Sequence, residues 1–226
     1  MQGFTFFGVA ITLTAYEIGV IIKRKWKLAI FNPLLIAIIL IICFLSVFHI
    51  DYEVYQDGSQ YFTYLLTPST VCLAIPLYQK LELLRKNKAA VLIGIFFGVL
   101  ASLFSVLMFS LLFGLTHQQY VTMLPKSITT AIGMAISEEL GGIVTITVTA
   151  IIITGILGNM FAETACRLLH IEEPIAKGVA IGTASHAMGT AKAMEMGEIE
   201  GAMSSLAIAV SGLFTVVLAP VFAHFL

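Results

Sequence analysis

The chain has 226 residues, of which 59% are hydrophobic and 11% charged, and its formal net charge is −1. A mean hydropathy of +1.00 is too apolar for a water-soluble domain, and the near-neutral balance excludes a bulk attraction to nucleic acid. The composition reads as an all-α, polytopic membrane bundle. A closed β-barrel would need short alternating segments, which the sequence does not carry.

Six apolar runs fall at 4–22, 28–48, 61–77, 89–115, 143–161 and 203–226. Each is near the length of about 20 residues that matches a hydrocarbon core roughly 30 Å thick. The start, Met1-Gln-Gly-Phe, lacks the basic stretch of a cleavable signal, so the first run reads as a retained helix. One integral membrane domain, 1–226, is expected. Lys23, Arg24, Lys25 and Lys27 follow the first run, and Lys80, Arg85, Lys86 and Lys88 follow the third. The segment between runs two and three carries Asp51, Glu53 and Asp57 instead. The positive-inside rule makes both basic loops cytoplasmic and the N-terminus extracytoplasmic; the competing reading is a lipid-binding patch.

Asn32-Pro33 opens the second run. Proline suits a first helical turn, which makes Asn32 an N-cap; a place in a polar cavity is the alternative. In the third run, Thr67-Pro68-Ser69-Thr70 and then Pro76 interrupt apolar sequence. Each proline removes a backbone donor, so the helix should kink or unwind at Pro68 and Pro76. Within a bilayer the freed groups need protein or a wet cavity around them, which makes Thr70 a candidate substrate contact. Gly94 and Gly98 in the fourth run have GxxxG spacing, which favours close helix packing, within one chain or in a homodimer. Cys43, Cys72 and Cys166 are scattered through apolar segments without metal spacing and read as packing residues, so no metal or other cofactor is expected.

Ala131-Ile-Gly133-Met-Ala135-Ile-Ser-Glu-Glu139-Leu-Gly141 shares the pattern A-x-G-x-A-x-x-x-E-x-G with Ala187-Met-Gly189-Thr-Ala191-Lys-Ala-Met-Glu195-Met-Gly197. This reads as an internal duplication of 123–170 and 179–226, which aligns Thr130 with His186 and Glu139 with Glu195. Each copy opens with a polar stretch too short to cross and continues into a long apolar run. Residues 167–177, with Arg167, His170, Glu172, Glu173 and Lys177, read as a solvated lead-in to the second copy. If each short helix dips in and returns, the copies are inverted, with half-helix ends meeting near mid-membrane as in secondary transporters. If each crosses, the copies are parallel.

Polar side chains at bilayer depth are costly and usually functional. The candidate substrate contacts are Asn32, Thr70, Lys126, Ser127, Thr129, Thr130, Thr183, Ser185, His186 and Thr190. Hydroxyls, a histidine and backbone N–H groups at helix N-termini suit a small carboxylate. His186 can carry a proton near neutral pH, and it joins Glu139 and Glu195 as candidates for proton coupling. Gly133, Gly141, Gly182 and Gly189 are candidate hinges or close approaches. The competing readings are a histidine bonded across a helix pair, lysines snorkelling to the interface, glutamates in the headgroups and hydroxyls that only bridge helices. An intramembrane hydrolase fits poorly, because Ser185 and His186 are adjacent and point apart on a helix. No enzyme activity is expected.

The sequence resembles the LrgB/CidB family of bacterial membrane proteins over essentially its whole length. The resemblance rests on Asn32-Pro33-Leu-Leu-Ile, Thr70-Val-Cys-Leu-Ala-Ile-Pro76-Leu-Tyr, Pro125-Lys-Ser-Ile-Thr-Thr, Gly182-Thr-Ala-Ser-His-Ala-Met-Gly-Thr-Ala-Lys-Ala and Gly201-Ala-Met-Ser-Ser-Leu-Ala. Ala131-Ile132 departs from it, since the family usually has proline after the paired threonines. The resemblance implies one of two roles in the bacterial plasma membrane. One is holin- or antiholin-like regulation of murein hydrolases and cell lysis, beside a small LrgA/CidA-type partner. The other is transport of small carboxylates such as glycolate, glycerate or pyruvate, as in plastid and bacterial relatives.

Overall fold

The structure is a computed structural model and describes residues 6–26, 28 and 31–226, apart from the side chains of Thr67 and Thr70. The reading of the first residues, of Lys27 in the first basic loop and of Thr70 as a substrate contact therefore falls outside what is described. The described residues form ten helices in two compact units, Met1–Cys72 and Leu73–Leu226.

The first unit holds α1 (Phe7–Trp26), α2 (Pro33–Val47) and α3 (Tyr52–Cys72). Asn32 caps α2, its Oδ1 accepting from the backbone N–H groups of Leu34 and Leu35 at 2.9 and 3.2 Å, with Pro33 in the first turn where no donor is needed. α1 lies on α2 and α3 around Ala15, Ala37 and Ile41. Thr12 Oγ1 bonds the Tyr55 hydroxyl across α1 and α3 at 2.9 Å.

α3 continues as helix through Pro68, and the interruption falls at Leu73. Pro76 explains the position: it cannot donate to the carbonyl of Cys72, four residues back, and its ring crowds that carbonyl. The third run thus begins at Tyr52, earlier than expected, and breaks at only one of its two prolines.

The second unit contains α4 (Ala74–Gln79), α5 (Leu81–Phe113), α6 (His117–Met123), α7 (Thr130–Glu139), α8 (Val144–Leu168), α9 (Pro174–Met196) and α10 (Glu198–Ala223). Among the described residues, α5, α8 and α10 are long and apolar enough to cross a bilayer, and α2 is apolar but shorter. α1 and α3, which cover the first and third expected runs, are more polar because α1 includes Glu17 and Lys23–Lys25, and α3 takes in Glu53 and Asp57. α5 starts at Leu81, so Arg85, Lys86 and Lys88 belong to its first turns rather than to a loop. Lys86 pairs there with Glu82 at 3.1 Å.

The core of this unit is a row along α5, Val91, Ile95, Val99, Leu103 and Val106, packed on Tyr120, Leu124 and Ile128 and on Met203, Ala207 and Phe222 of α10. Four-residue spacing puts the row on one face of α5. In a bilayer this packing stabilises through close contact rather than escape from water. Cys166 is buried, but Cys43 and Cys72 face outward, contrary to the packing expected of all three. Where the surroundings are hydrocarbon, an apolar residue gains little by turning inward, so hydrophobicity does not select the buried face.

α9 is helical in sequence but folded back in space. Ser185 (φ −136°, ψ 19°) and His186 (φ 43°, ψ −141°) leave the helical region and divide it into limbs 174–184 and 187–196. A Cβ on Gly182 would meet Ser204, and Thr190 Oγ1 also reaches Ser204 Oγ at 2.7 Å. Eight residues of straight helix would separate Gly182 and Thr190 by about 12 Å, so the limbs must be antiparallel. The expected solvated lead-in therefore ends at Pro174, and Lys177 is already helical.

α6 and α7 form a second hairpin, which turns at 124–129. Thr147 of α8 donates its one hydroxyl hydrogen to the Thr122 carbonyl at 2.8 Å and can accept from Ser137 Oγ at 2.6 Å, tying both limbs to one point. The α6 N-terminus carries a capping box between Thr116 and Gln119. Pairings recur 56 residues apart: Pro125 with Gly133 and Ile181 with Gly189, then Thr122 with Thr147 and Gly178 with Met203.

The two hairpins enter from opposite ends of α10. Tyr120 of α6 donates its hydroxyl to the Phe222 carbonyl at 2.7 Å, near the α10 C-terminus. Gly178 and Met194 of α9 lie against Glu200 and Gly201, at its start.

Candidate functional site

The fold-back points meet at mid-height on α5. A Cβ on Gly98 would lie 2.9 Å from Thr183 Cγ2, and one turn further on, Ser102 Oγ lies 3.1 Å from Ser127 Oγ. Gly94 and Gly98 thus pack within the chain, against Val179 and Thr183. The hairpins also share Ile151 of α8, whose side chain fills the space a Cβ on Gly133 would need and whose carbonyl accepts from His186 Nε2 at 3.0 Å.

A cavity of about 830 Å³ runs from these tips along the groove between α5 and the first limb of α9. Its inner end is formed by Ser102, Lys126, Ser127, Thr183 and Ala184, and Asn87 and Glu173 line it farther out. A small void of about 10 Å³ lies beneath, lined on one part by the hydroxyl residues Ser102, Ser127, Thr183, Ser211 and Thr215 and on the rest by aliphatic side chains of the core. That is room for about one water molecule.

Lys126 Nζ lies 3.1 Å from Ser127 Oγ and 3.4 Å from Ser102 Oγ. No carboxylate reaches it among the described residues. Thr183 is 6% exposed, and its Oγ1 has no hydrogen-bond partner among the described residues. The helix ends do not set the sign of the local potential. Each tip joins the C-terminus of one limb to the N-terminus of the next, and these opposite half-charges nearly cancel. Of the side chains that line the cavity, Lys126 is the one base, at the inner end, and Glu173 the one acid, farther out.

The other sequence-predicted residues are distributed around this point. Thr129 is the N-cap position of α7 without a side-chain cap bond, and Thr130 is its first residue, half-buried. Ser185 donates to the Ile181 carbonyl at 2.8 Å, and Thr190 donates to the His186 carbonyl at 2.9 Å. Ser185 and His186 therefore bond to separate backbone groups, not to each other. Because a carbonyl only accepts, His186 carries its proton on Nε2. Its positive φ costs about 1–3 kcal/mol in a non-glycine residue and is what reverses the chain so sharply.

Glu139 and Glu195 are exposed at the far ends of their limbs, nine residues or about 14 Å of helix from the fold-backs. Glu195 pairs with Lys192 at 3.2 Å, and Lys192 also reaches Glu163 of α8 at 3.5 Å. A Cβ on Gly189 would collide with Ser185 Oγ, and Gly141 turns the chain after α7 with φ 76°. Asn32 and Pro68 belong to the first unit, where Asn32 serves as the α2 cap. Among the described residues no group of three His, Cys, Asp or Glu is placed to hold a metal.

The sequence reading missed Ser102 and Ser105 on α5 and Ser211 and Thr215 on α10, all of which line the cavity or the void. A signal existed: Gly94, Gly98 and Ser102 are successive four-residue steps, and they continue one small-residue face into a polar one.

No solved structure matches the chain. Curated relatives named "Antiholin-like protein LrgB" from Bacillus cereus and Bacillus anthracis are 38% identical over 222 residues, covering 98% of this chain and 96% of the relative. The family model described as "LrgB-like family" matches residues 12–225. With that match over nearly its whole length, and helices able to span a bilayer, the chain is a membrane protein that belongs to the LrgB-like family.

Proposed function

We propose that the protein is a secondary transporter of small organic anions, with glycolate, glycerate and pyruvate as candidate substrates. The supporting observation is the cavity where two oppositely entering hairpins meet, with Lys126 and hydroxyl groups at its inner end. Opposed half-helices that end at mid-membrane are the usual seat of substrate in such proteins. By the positive-inside rule, the end of the second unit that carries Arg85, Lys86, Lys88 and Lys177 faces the cytoplasm. His186, buried at the tip, is the candidate for proton coupling. Uptake of radiolabelled glycolate or pyruvate into proteoliposomes tests this reading, with and without a pH gradient. Saturable flux that falls in His186→Ala supports it; no saturable flux, or flux unchanged in that variant, refutes it.

The relatives' names favour a second reading, and on names alone it is the better supported. In it the protein regulates murein hydrolase activity and lysis as an antiholin-like component, as a homodimer or beside a small LrgA/CidA-type membrane partner. It predicts large assemblies in detergent and non-saturable dye release. Sizing in detergent combined with a dye-release assay separates the two.

A further inference from the structure

We infer that Lys126 and Thr183 together form an oxyanion seat that bridges the two hairpins, and that a free small carboxylate is its ligand. This rests on the transport reading for its purpose but not for its chemistry.

The Lys126 ammonium has three N–H groups, and two of them face Ser127 and Ser102. The serine hydroxyls lie 3.1 Å apart, so one donates to the other and the second hydrogen is left over. Ser105 Oγ donates to the Ser102 carbonyl at 2.7 Å and takes no part. Two donors therefore remain at the inner end of the cavity, one ammonium N–H and one serine O–H, and a third, the unpartnered Thr183 O–H, is buried in the wall between the cavity and the void beneath it. An ammonium half-withdrawn from water without a counter-ion is costly, and a buried hydroxyl without a partner costs as well. A carboxylate, with two oxygens and about four lone-pair sites, answers both at once.

Lys126 lies in the turn of the α6–α7 hairpin and Thr183 ends the first limb of α9. One anion held by both ties together two elements that enter from opposite ends. Ser102, on α5, forms the floor. The seat therefore does more than hold a ligand: occupancy joins the hairpins, and an empty site leaves their tips linked only through shared neighbours.

The test uses the full chain in nonionic detergent, where no lipid phosphate competes. Thermal unfolding is followed against sodium acetate, with sodium chloride holding ionic strength constant. The melting temperature of the wild type should rise saturably. Lys126→Gln should raise the apparent Kd by at least about tenfold, the loss of a charge-assisted bond. Thr183→Val should weaken binding several-fold and Thr183→Ser should restore it, a pattern that a purely structural threonine would not give. If Lys126→Gln does not fold, the Thr183 pair carries the test. No acetate effect in the wild type, an equal effect in Lys126→Gln, or stabilisation by phosphatidylglycerol but not by acetate would each overturn the seat. Binding without flux in proteoliposomes removes the transport reading and leaves the seat standing. Flux indifferent to Lys126 and Thr183 does the reverse.

Discussion

Gly182→Ala is the sharpest test of the fold-back. The added Cβ would stand 2.8 Å from both Cα and Oγ of Ser204, and nearer still to its carbonyl oxygen. Ordinary contacts are ~3.5–4.0 Å, and Ser204 presents backbone, which cannot swing aside, so the limb must retreat from α10 by about 1 Å. Gly94→Ala on α5 is the matched control, because its Cβ would meet only Val179 Cγ1 at 3.6 Å. Both changes gain the same ~1 kcal/mol of helix propensity, which cancels in the comparison. What remains is the overpacking term, so Gly182→Ala should be less stable than Gly94→Ala by about 1–3 kcal/mol. Reversible unfolding by SDS in mixed micelles measures the difference. Equal stability of the two variants would mean that the first limb does not lie against α10, and the hairpin geometry would fall with it.

Three further outcomes follow from the same geometry. Tyr120→Phe should cost about 1 kcal/mol in the same assay, because the Phe222 carbonyl loses the tyrosine but keeps the Phe225 N–H at 3.0 Å. A cost above that range would mean the hydroxyl has a role besides this bond. Lys192→Gln should lower the melting temperature slightly at low salt and not at high salt, since its partners Glu163 and Glu195 are exposed and screened; a salt-independent loss would contradict a screened pair. On a background lacking the native cysteines, Ala184→Cys should react with a polar maleimide and Ala193→Cys should not, since Ala184 lines the cavity and Ala193 is fully buried. Equal labelling would show that the cavity is not wet.

The helical class and the neighbourhood of both fold-backs were legible in the sequence, because a polar, glycine-rich stretch is costly in hydrocarbon unless the chain turns or packs closely there. Their positions were not, since the chain turns at 124–129 and at Ser185–His186 rather than at the candidate glycines. The repeated A-x-G-x-A-x-x-x-E-x-G pattern begins beside each fold-back, and its first glycines, Gly133 and Gly189, face Pro125 and Ile181 across their hairpins. The first limb of α9 was hidden because Lys177 and Glu173 disguise Ile175, Val179 and the close-packed Gly178 as a loop. The short α6 was missed although its Thr116…Gln119 cap was written in plain residues. Lys126 was visible as a candidate, but not the lack of a carboxylate within its reach, which depends on where α5 and α9 bring their side chains. The inward row of α5 was likewise unreadable, since apolar residues surround that helix on every side.

The opposed hairpins also constrain how the protein is built. Neither α6–α7 nor α9 has a stretch long and apolar enough to cross a bilayer alone, and each interrupts its hydrogen-bond ladder at the fold-back. The bare peptide groups at those ends find partners only on helices that are already inserted. Biogenesis must therefore proceed in two stages: α5, α8 and α10 lodge first as an open frame, and the two loops slide in afterwards, one from each side. α10 supplies the wall both loops need, since Tyr120 bonds the Phe222 carbonyl near its end and Gly178 lies on Glu200 at its start, so the centre of the molecule closes only after α10 is in place.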